Sequence, residues 1–364
     1  MSDWFRKQPK IGTRMPALPS LPSSPWTKAT TPTQLPANMQ TTSAKVVMHH
    51  FARSEVRTLN KQESQLHAQV VTKLRSMSEF STMPDAQIAE VIKNIAHALQ
   101  SAPLTINFKT IGWFDNPNHH RVYKQMYERG DHVAPGPDGT AERRIAGSEA
   151  NKAGKRDEVD TTVSFGPNIA SAARQGIARF MGTGGGERRD DVGSVVVPNA
   201  QFNSKARQVF GALNFGRRTF GANFGYGHHQ FVLKERLKIN AIYYMGDTFT
   251  PGIDHNSRVT YGFLPALILH ASRDALNDII NSCYRSMVLR NSQMPDVMVE
   301  AHIYERVVFS QTVEKLVMNR FAFLSDIRQL MFNGGRTDLT VEQAENNVKI
   351  FANVNKIKLE WFGV

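Results

Sequence analysis

The sequence predicts an α+β protein on three observations. Apolar residues recur at helical intervals near the start, short alternating or aromatic-rich runs fill the middle, and helix and strand patterns succeed one another toward the end. From Phe51 to Met77 the residues Leu59, Leu66, Val70, Leu74 and Met77 predict an amphipathic helix. After Pro84, with Asp85 expected as N-cap, Ile88, Val91, Ile92, Ile95 and Leu99 predict a second. Leu104–Phe108 (L-T-I-N-F) alternates like a short strand. The polar, glycine-containing passage from about Asn116 to Gly193 is expected to be loop, with a helix over Phe165–Phe180. Strands are predicted at R-Q-V-F-G-A-L-N-F (207 to 215), Y-G-H-H-Q-F-V-L (226 to 233) and N-A-I-Y-Y-M (240 to 245). Leu264–Leu289 is expected as helix, Val297–Phe309 as strand and Gln311–Met331 as helix, before a final helix and strand near Trp361. The expected organisation is an arm over 1–45, a helical lobe over 46–102 and a larger unit over 103–364.

Composition narrows the function classes. A chain of 364 residues, 41% of them hydrophobic, is long enough to bury a substantial core. Residues 1 to about 45 carry seven of its 17 prolines among Ser, Thr and Gln, a composition that predicts disorder and suits a secretion signal. The net charge of +12 favours acidic partners. The basic residues are dispersed, with no run of five and no aromatic-interleaved stripe, which weighs against nucleic acid. No stretch reaches the roughly 20 apolar residues of a membrane span, and the polar start lacks the apolar region of a secretory signal peptide. The single cysteine, Cys283, rules out an internal disulfide and a cysteine-based metal site.

Chemistry is sought first in Val299-Glu300-Ala301-His302-Ile303. Alternation places Val297, Val299, Ala301 and Ile303 on one face and Met298, Glu300, His302 and Tyr304 on the other. The first face belongs against a core, so Glu300 is expected to project into a cleft or solvent beside His302. On this motif alone, an ordinary solvated strand face is the better account of both residues. A competing constellation is metal binding by His119-His120, His228-His229, His255 beside Asp254, and His302. None has a tight metal spacing, and neighbouring histidines on a strand face opposite ways. Gly182 and Gly184–Gly186 are followed by Glu187, Arg188 and Arg189 rather than the Lys and Ser or Thr of a phosphate loop, and no G-x-S-x-G elbow appears in the sheet region.

Five segments in order, L-T-I-N-F (104 to 108), R-x-x-F-G-A-L-N (207 to 214), Y-G-x-x-x-F-V-L-K (226 to 234), M-G-D-T-F (245 to 249) and V-E-A-H-I-Y (299 to 304), carry a resemblance. The set resembles a bacterial family reading H-F-H, R-P-x-Y-G-A-L, F-G-x-x-x-F-x-L-x-P, T-F-G-D-S and E-A-Q-I-H-G, related to the CteC-type effectors. Those are ADP-ribosyltransferases that attach ADP-ribose to a threonine of host ubiquitin. The resemblance spans about 100 to 310. This chain departs from the pattern at Asn107 for His, Phe210 for Tyr, His302 for Gln and Tyr304-Glu305 for the His-Gly pair. It also lacks the clear Arg, Ser-Thr-Ser and Glu-x-Glu series, and the His, paired Tyr and Glu series, of the two familiar ADP-ribosyltransferase classes.

The resemblance implies an ADP-ribosyltransferase-like split β-sheet core and a secreted effector, delivered into the host cell, that consumes NAD and modifies a host protein such as ubiquitin. It makes Glu300 the carboxylate that stabilises the oxocarbenium-like transition state at the nicotinamide ribose, with His302 orienting it or the acceptor. Tyr226, Phe231 and Phe210 are candidates to line the nicotinamide, and Asn107 and Asn214 to hydrogen-bond ribose or amide groups. Arg207 is a candidate for the pyrophosphate, and Gly211, Gly227, His228, Asp247 and Thr248 complete the NAD-binding set. For the aromatic residues plain core packing competes, and for Asp247 and Thr248 simple turn chemistry does. A histidine-based metal hydrolase and a non-catalytic host-protein-binding effector are the alternatives.

Overall fold

A computed structural model describes residues 62–108, 114, 116–123, 209–248, 257–291, 297–303, 305–333 and 339–363, with short strand pieces at 134–135 and 141–142. The expected arm, the helix over 165–180, the glycine cluster at 182–186, Arg207 and His255 lie outside the described residues. The described chain is α+β, as the sequence predicts.

Two helices come first. α1 (Glu63–Arg75) opens on an acidic residue and closes on Lys73 and Arg75, charges that suit the helix dipole at each end, and it buries Val70 and Leu74. α2 (Asp85–Ser101) buries Ile88, Val91, Ile92, Ile95 and Leu99, the stripe its periodicity predicts. Its N-cap is Pro84, which offers no side-chain capping bond, and Asp85 is its first helical residue. The Asp85 carboxylate instead pairs with Arg75, tying the two helices together.

Eight strands form one sheet: β1 (Leu104–Phe108), β2 (Val209–Leu213), β3 (His229–Leu233), β4 (Ala241–Met245), β5 (Val259–Thr260), β6 (Val299–Ile303), β7 (Val313–Asn319) and β8 (Lys358–Phe362). Their order across the sheet is β8-β7-β3-β1-β2-β6-β4-β5. Only β7 and β8 run parallel; the other pairings are antiparallel. Pieces 134–135 and 141–142 pair separately. The expected split core is not what these strands build. They hydrogen-bond into one continuous sheet, because β1 pairs with β3 on one side and β2 on the other and so bridges the two halves.

Register assigns the faces, since directly paired residues share a side and neighbours alternate. One face carries Leu104, Ile106, Phe108, Leu213, Phe231, Leu316, Tyr243 and Val299, all buried in a single core that also takes in Val70, Leu74 and the α2 stripe. Phe231 stacks on Phe108 (ring centroids 4.7 Å) and packs against Phe309 and Phe351. The other face carries Thr105, Asn107, Phe210, Ala212, Gln230, Tyr244, Glu300 and His302.

Three predicted elements differ. Leu264–Leu289 is not one helix: Tyr261–His270 is a tight 3-10 stretch kinked at Phe263, with Pro265 inside. Proline removes a backbone donor and restricts the residue before it, so the chain restarts as α3 (Arg273–Ile279), capped by the Ser272 hydroxyl on the Ala275 N–H, and ends in a wider turn over Ile280–Tyr284. The expected strand Val297–Phe309 is regular strand from Val299 to Ile303, and beyond it Val308 makes an isolated antiparallel bridge to Val122. Gln311–Met331 is not one helix. A single helical turn over Phe309–Thr312 leads into β7, which is claimed by pairing with β3 and β8, and α4 (Arg320–Asn333) follows it. A short apolar run fits either period, and the neighbouring strands decided it. α5 (Val341–Val354) carries a capping box between Thr340 and Gln343 and precedes β8, as predicted. Among the described residues, no helix is long and apolar enough to cross a membrane.

Candidate active site

Glu300 and His302 sit near the middle of the sheet, on β6 between β2 and β4. Glu300 is directly opposite Ala212 and Tyr244, and His302 opposite Phe210 and Ile242. Alternation placed both side chains on one face correctly. Their surroundings differ from expectation: Glu300 is 3% exposed and His302 0%, so neither projects into solvent. The burial is compensated. The Thr248 backbone N–H donates to Glu300 Oε2 at 2.5 Å, and Thr248 Oγ1 lies 3.2 Å from His302 Nε2. Glu300 Oε1 is 3.6 Å from the same ring nitrogen. Phe210 meets the imidazole edge-on and Tyr244 lies tilted against it, at centroid distances of 4.7 and 4.8 Å. His302 Nδ1 is buried with no hydrogen-bond partner among the described residues.

Thr248 reaches this position because the chain leaving β4 follows β6. Gly246 donates its N–H to the Met298 carbonyl at 2.7 Å and turns with φ +94°. Asp247, 5% exposed, accepts a hydrogen bond from the hydroxyl of Tyr226, which is 46% exposed. The residues just after β4 thus hold two carboxylates, Asp247 through the Tyr226 hydroxyl and Glu300 through the Thr248 amide.

The segment from Asn214 to His228 covers the same face, and amide side chains hold it. Asn214 bonds both the N–H and the carbonyl of Arg218, each at 2.8 Å. Asn107 donates to the Phe220 carbonyl at 2.5 Å and the Gly227 carbonyl at 3.0 Å. Gln230, opposite Asn107 in register, donates to the Thr219 carbonyl. Gly221 has φ +87°, and a Cβ there would stand 2.6 Å from the Asn107 amide oxygen. Ala222 then packs on Ala212 and Met298, next to Glu300. Arg218, buried, crosses to Asp278 at 2.7 Å and to the Arg290 carbonyl at 2.9 Å. Burial pulls its guanidinium below the usual arginine range, against the raising effect of Asp278.

The structure therefore gathers Glu300, His302, Phe210, Thr248, Asp247 and Tyr226, with Asn107, Asn214 and Gly227 building the cover beside them. It separates two expected members. Phe231 lies on the opposite face, wholly buried in the core, so it cannot share a pocket with Glu300. Gly211 also faces the core, where a Cβ would stand 2.9 Å from the Thr105 carbonyl and 3.3 Å from the Ile303 methyl; its smallness serves strand packing. His228 is partly buried between the Phe220 and Phe224 rings. Sequence reasoning missed Tyr244 and Gln230, which become site neighbours only once strand pairing is known, and Arg218, whose partner is 60 residues away. Among the described residues, no group of three His, Cys, Asp or Glu side chains is arranged to hold a metal ion. No protein-family model matches the chain, and no curated protein matches it.

Proposed function

We propose that the chain is an NAD-dependent mono-ADP-ribosyltransferase that modifies a host protein, with a threonine of ubiquitin as the first acceptor to test. One observation carries the reading: the described parts of the five resembling segments, far apart in the chain, fold side by side. They fall on β1, β2, β3, the end of β4 and β6; four of them reach the face that holds Glu300 by strand register, and the one at the end of β4 touches Glu300 through the Thr248 N–H. Kinship to the ADP-ribosyltransferase core is proposed on this site rather than on the sheet, which is continuous.

The residues present fit a ribose. The buried, unpartnered His302 Nδ1 lies on the face of the Glu300 carboxylate, a polar atom that a hydroxyl would satisfy. Bound NAD would supply a glycosidic bond whose cleavage leaves positive charge on the sugar ring. Glu300, fixed by the Thr248 amide, offers preorganised negative charge for it, and in a buried setting such charge acts at low effective dielectric. Phe210 offers an aromatic wall beside it, and Tyr226 stands at the exposed margin.

The test is incubation with NAD and ubiquitin, followed by intact mass. The expected result is a gain of one ADP-ribose unit, and Glu300→Gln is expected to slow it by about 100-fold or more. Absence of nicotinamide release with ubiquitin and with any host lysate would overturn the reading.

A further inference from the structure

The geometry points to Asp247, held by the Tyr226 hydroxyl, as the group that takes the acceptor's proton during transfer, so that the two carboxylates divide the chemistry. Glu300 serves the sugar side and Asp247 the acceptor side. The assignment rests on the transferase reading above and extends it.

The two carboxylates are tied to one short segment and held in differing environments. Thr248 donates its N–H to Glu300, and Asp247 is the residue before it, so one short segment after β4 carries one acid and anchors the other. Anchoring of that segment by Gly246 on Met298 fixes both. Glu300 is bound by a backbone amide and sits among Ala212, Tyr244 and His302, inside the sheet face. Asp247 is bound instead by a side chain with nearly half its surface in solvent. A macromolecular acceptor approaching this margin meets Tyr226 first and Asp247 behind it.

The chemistry needs two such groups. As the glycosidic bond loosens, the acceptor oxygen forms a bond to the anomeric carbon of the ribose. The carbon–nitrogen bond to nicotinamide breaks, and its electron pair returns to the ring nitrogen and neutralises the pyridinium. The acceptor's proton must leave as the new bond forms. A hydroxyl keeps that proton at neutral pH, so a placed carboxylate accelerates its loss, and Asp247 passes it on to solvent. Paired carboxylates with separate roles on the two sides of a sugar carbon are the general solution to displacement there. Tyr226 is a positioning residue: its O–H donates to Asp247 and holds the carboxylate at the margin.

The experiment uses the full chain with labelled NAD, in the presence of a eukaryotic lysate supplemented with ubiquitin and separately without acceptor. Incorporation into protein and release of nicotinamide are both measured. Asp247→Asn is expected to lower transfer about 100-fold but NAD hydrolysis less than about tenfold, because water can shed its proton to bulk solvent. Tyr226→Phe, at an exposed position, is expected to lower transfer on the order of tenfold, the worth of one hydrogen bond to a charged group. Glu300→Gln is expected to lower both activities together. If Asp247→Asn lowers transfer and hydrolysis in equal proportion, or if both Asp247→Asn and Tyr226→Phe transfer at the wild-type rate, the assignment is overturned. A wild-type chain that releases no nicotinamide under either condition overturns the transferase reading, and this assignment with it.

Discussion

Single residues here answer to burial before anything else. Glu300 and His302 share a face because a strand alternates, and that much is legible from V-E-A-H-I. That the face is covered is not, since the covering residues come from the segment 214–228 and from Thr248. Cys283 is a second case. Burial pushes its thiol up to about 12, with Arg217 pulling slightly the other way. Native protein is therefore expected to resist alkylation at neutral pH and to react fully once denatured, which a thiol titration reads directly. In the unfolded chain this thiol titrates near 9.0. Between the two values the folded state holds the extra proton, so its contribution to stability is complete below pH 9 and is lost as pH rises toward 12. A urea midpoint that climbs through that window on account of Cys283 would contradict the assignment of its burial.

At the scale of elements, local pattern and tertiary partner compete. α2, β1, α5 and β8 fall where their periods put them, because in each the local preference and the buried face agree. β7 went to strand against a helical expectation. Backbone groups of β3 and β8 needed a partner between them, and Val313, Leu316 and Met318 fill the core equally well from a strand. The segment 214–228 is built on amide side chains and two glycines of positive φ, Gly221 and Gly227. Gly221→Ala is expected to destabilise the fold by about 2 kcal/mol, from the positive φ and from the crowding of Asn107 and Gln230. Chemical unfolding measures it, and a loss below a few tenths of a kcal/mol would show that the segment yields without cost.

The whole molecule is organised by how the sheet divides its two faces. One face meets the helices and closes a single core; the other takes the amide-held segment and the acid pair. Arg218 links these regions, since it belongs to the segment covering the site while Asp278 belongs to α3. Removing one partner of a buried ion pair leaves an uncompensated charge. Arg218→Met is expected to cost about 3 kcal/mol, the low end for such pairs because Asp278 stays partly exposed. Calorimetry of the variant checks the magnitude, and a further Asp278→Asn change should restore part of the loss if the stranded carboxylate is its cause. By itself the sequence determined the α+β class, the faces of β1 and β6, the two helices before the sheet, the last helix and the side on which Glu300 and His302 lie, because these depend on residues a few positions apart. Only the tertiary structure decided that the sheet is continuous, that Phe231 and Gly211 face away from the acid pair, and that Thr248 and Tyr226 hold the two carboxylates. Those outcomes depend on pairings between segments far apart in the chain, which no local period encodes.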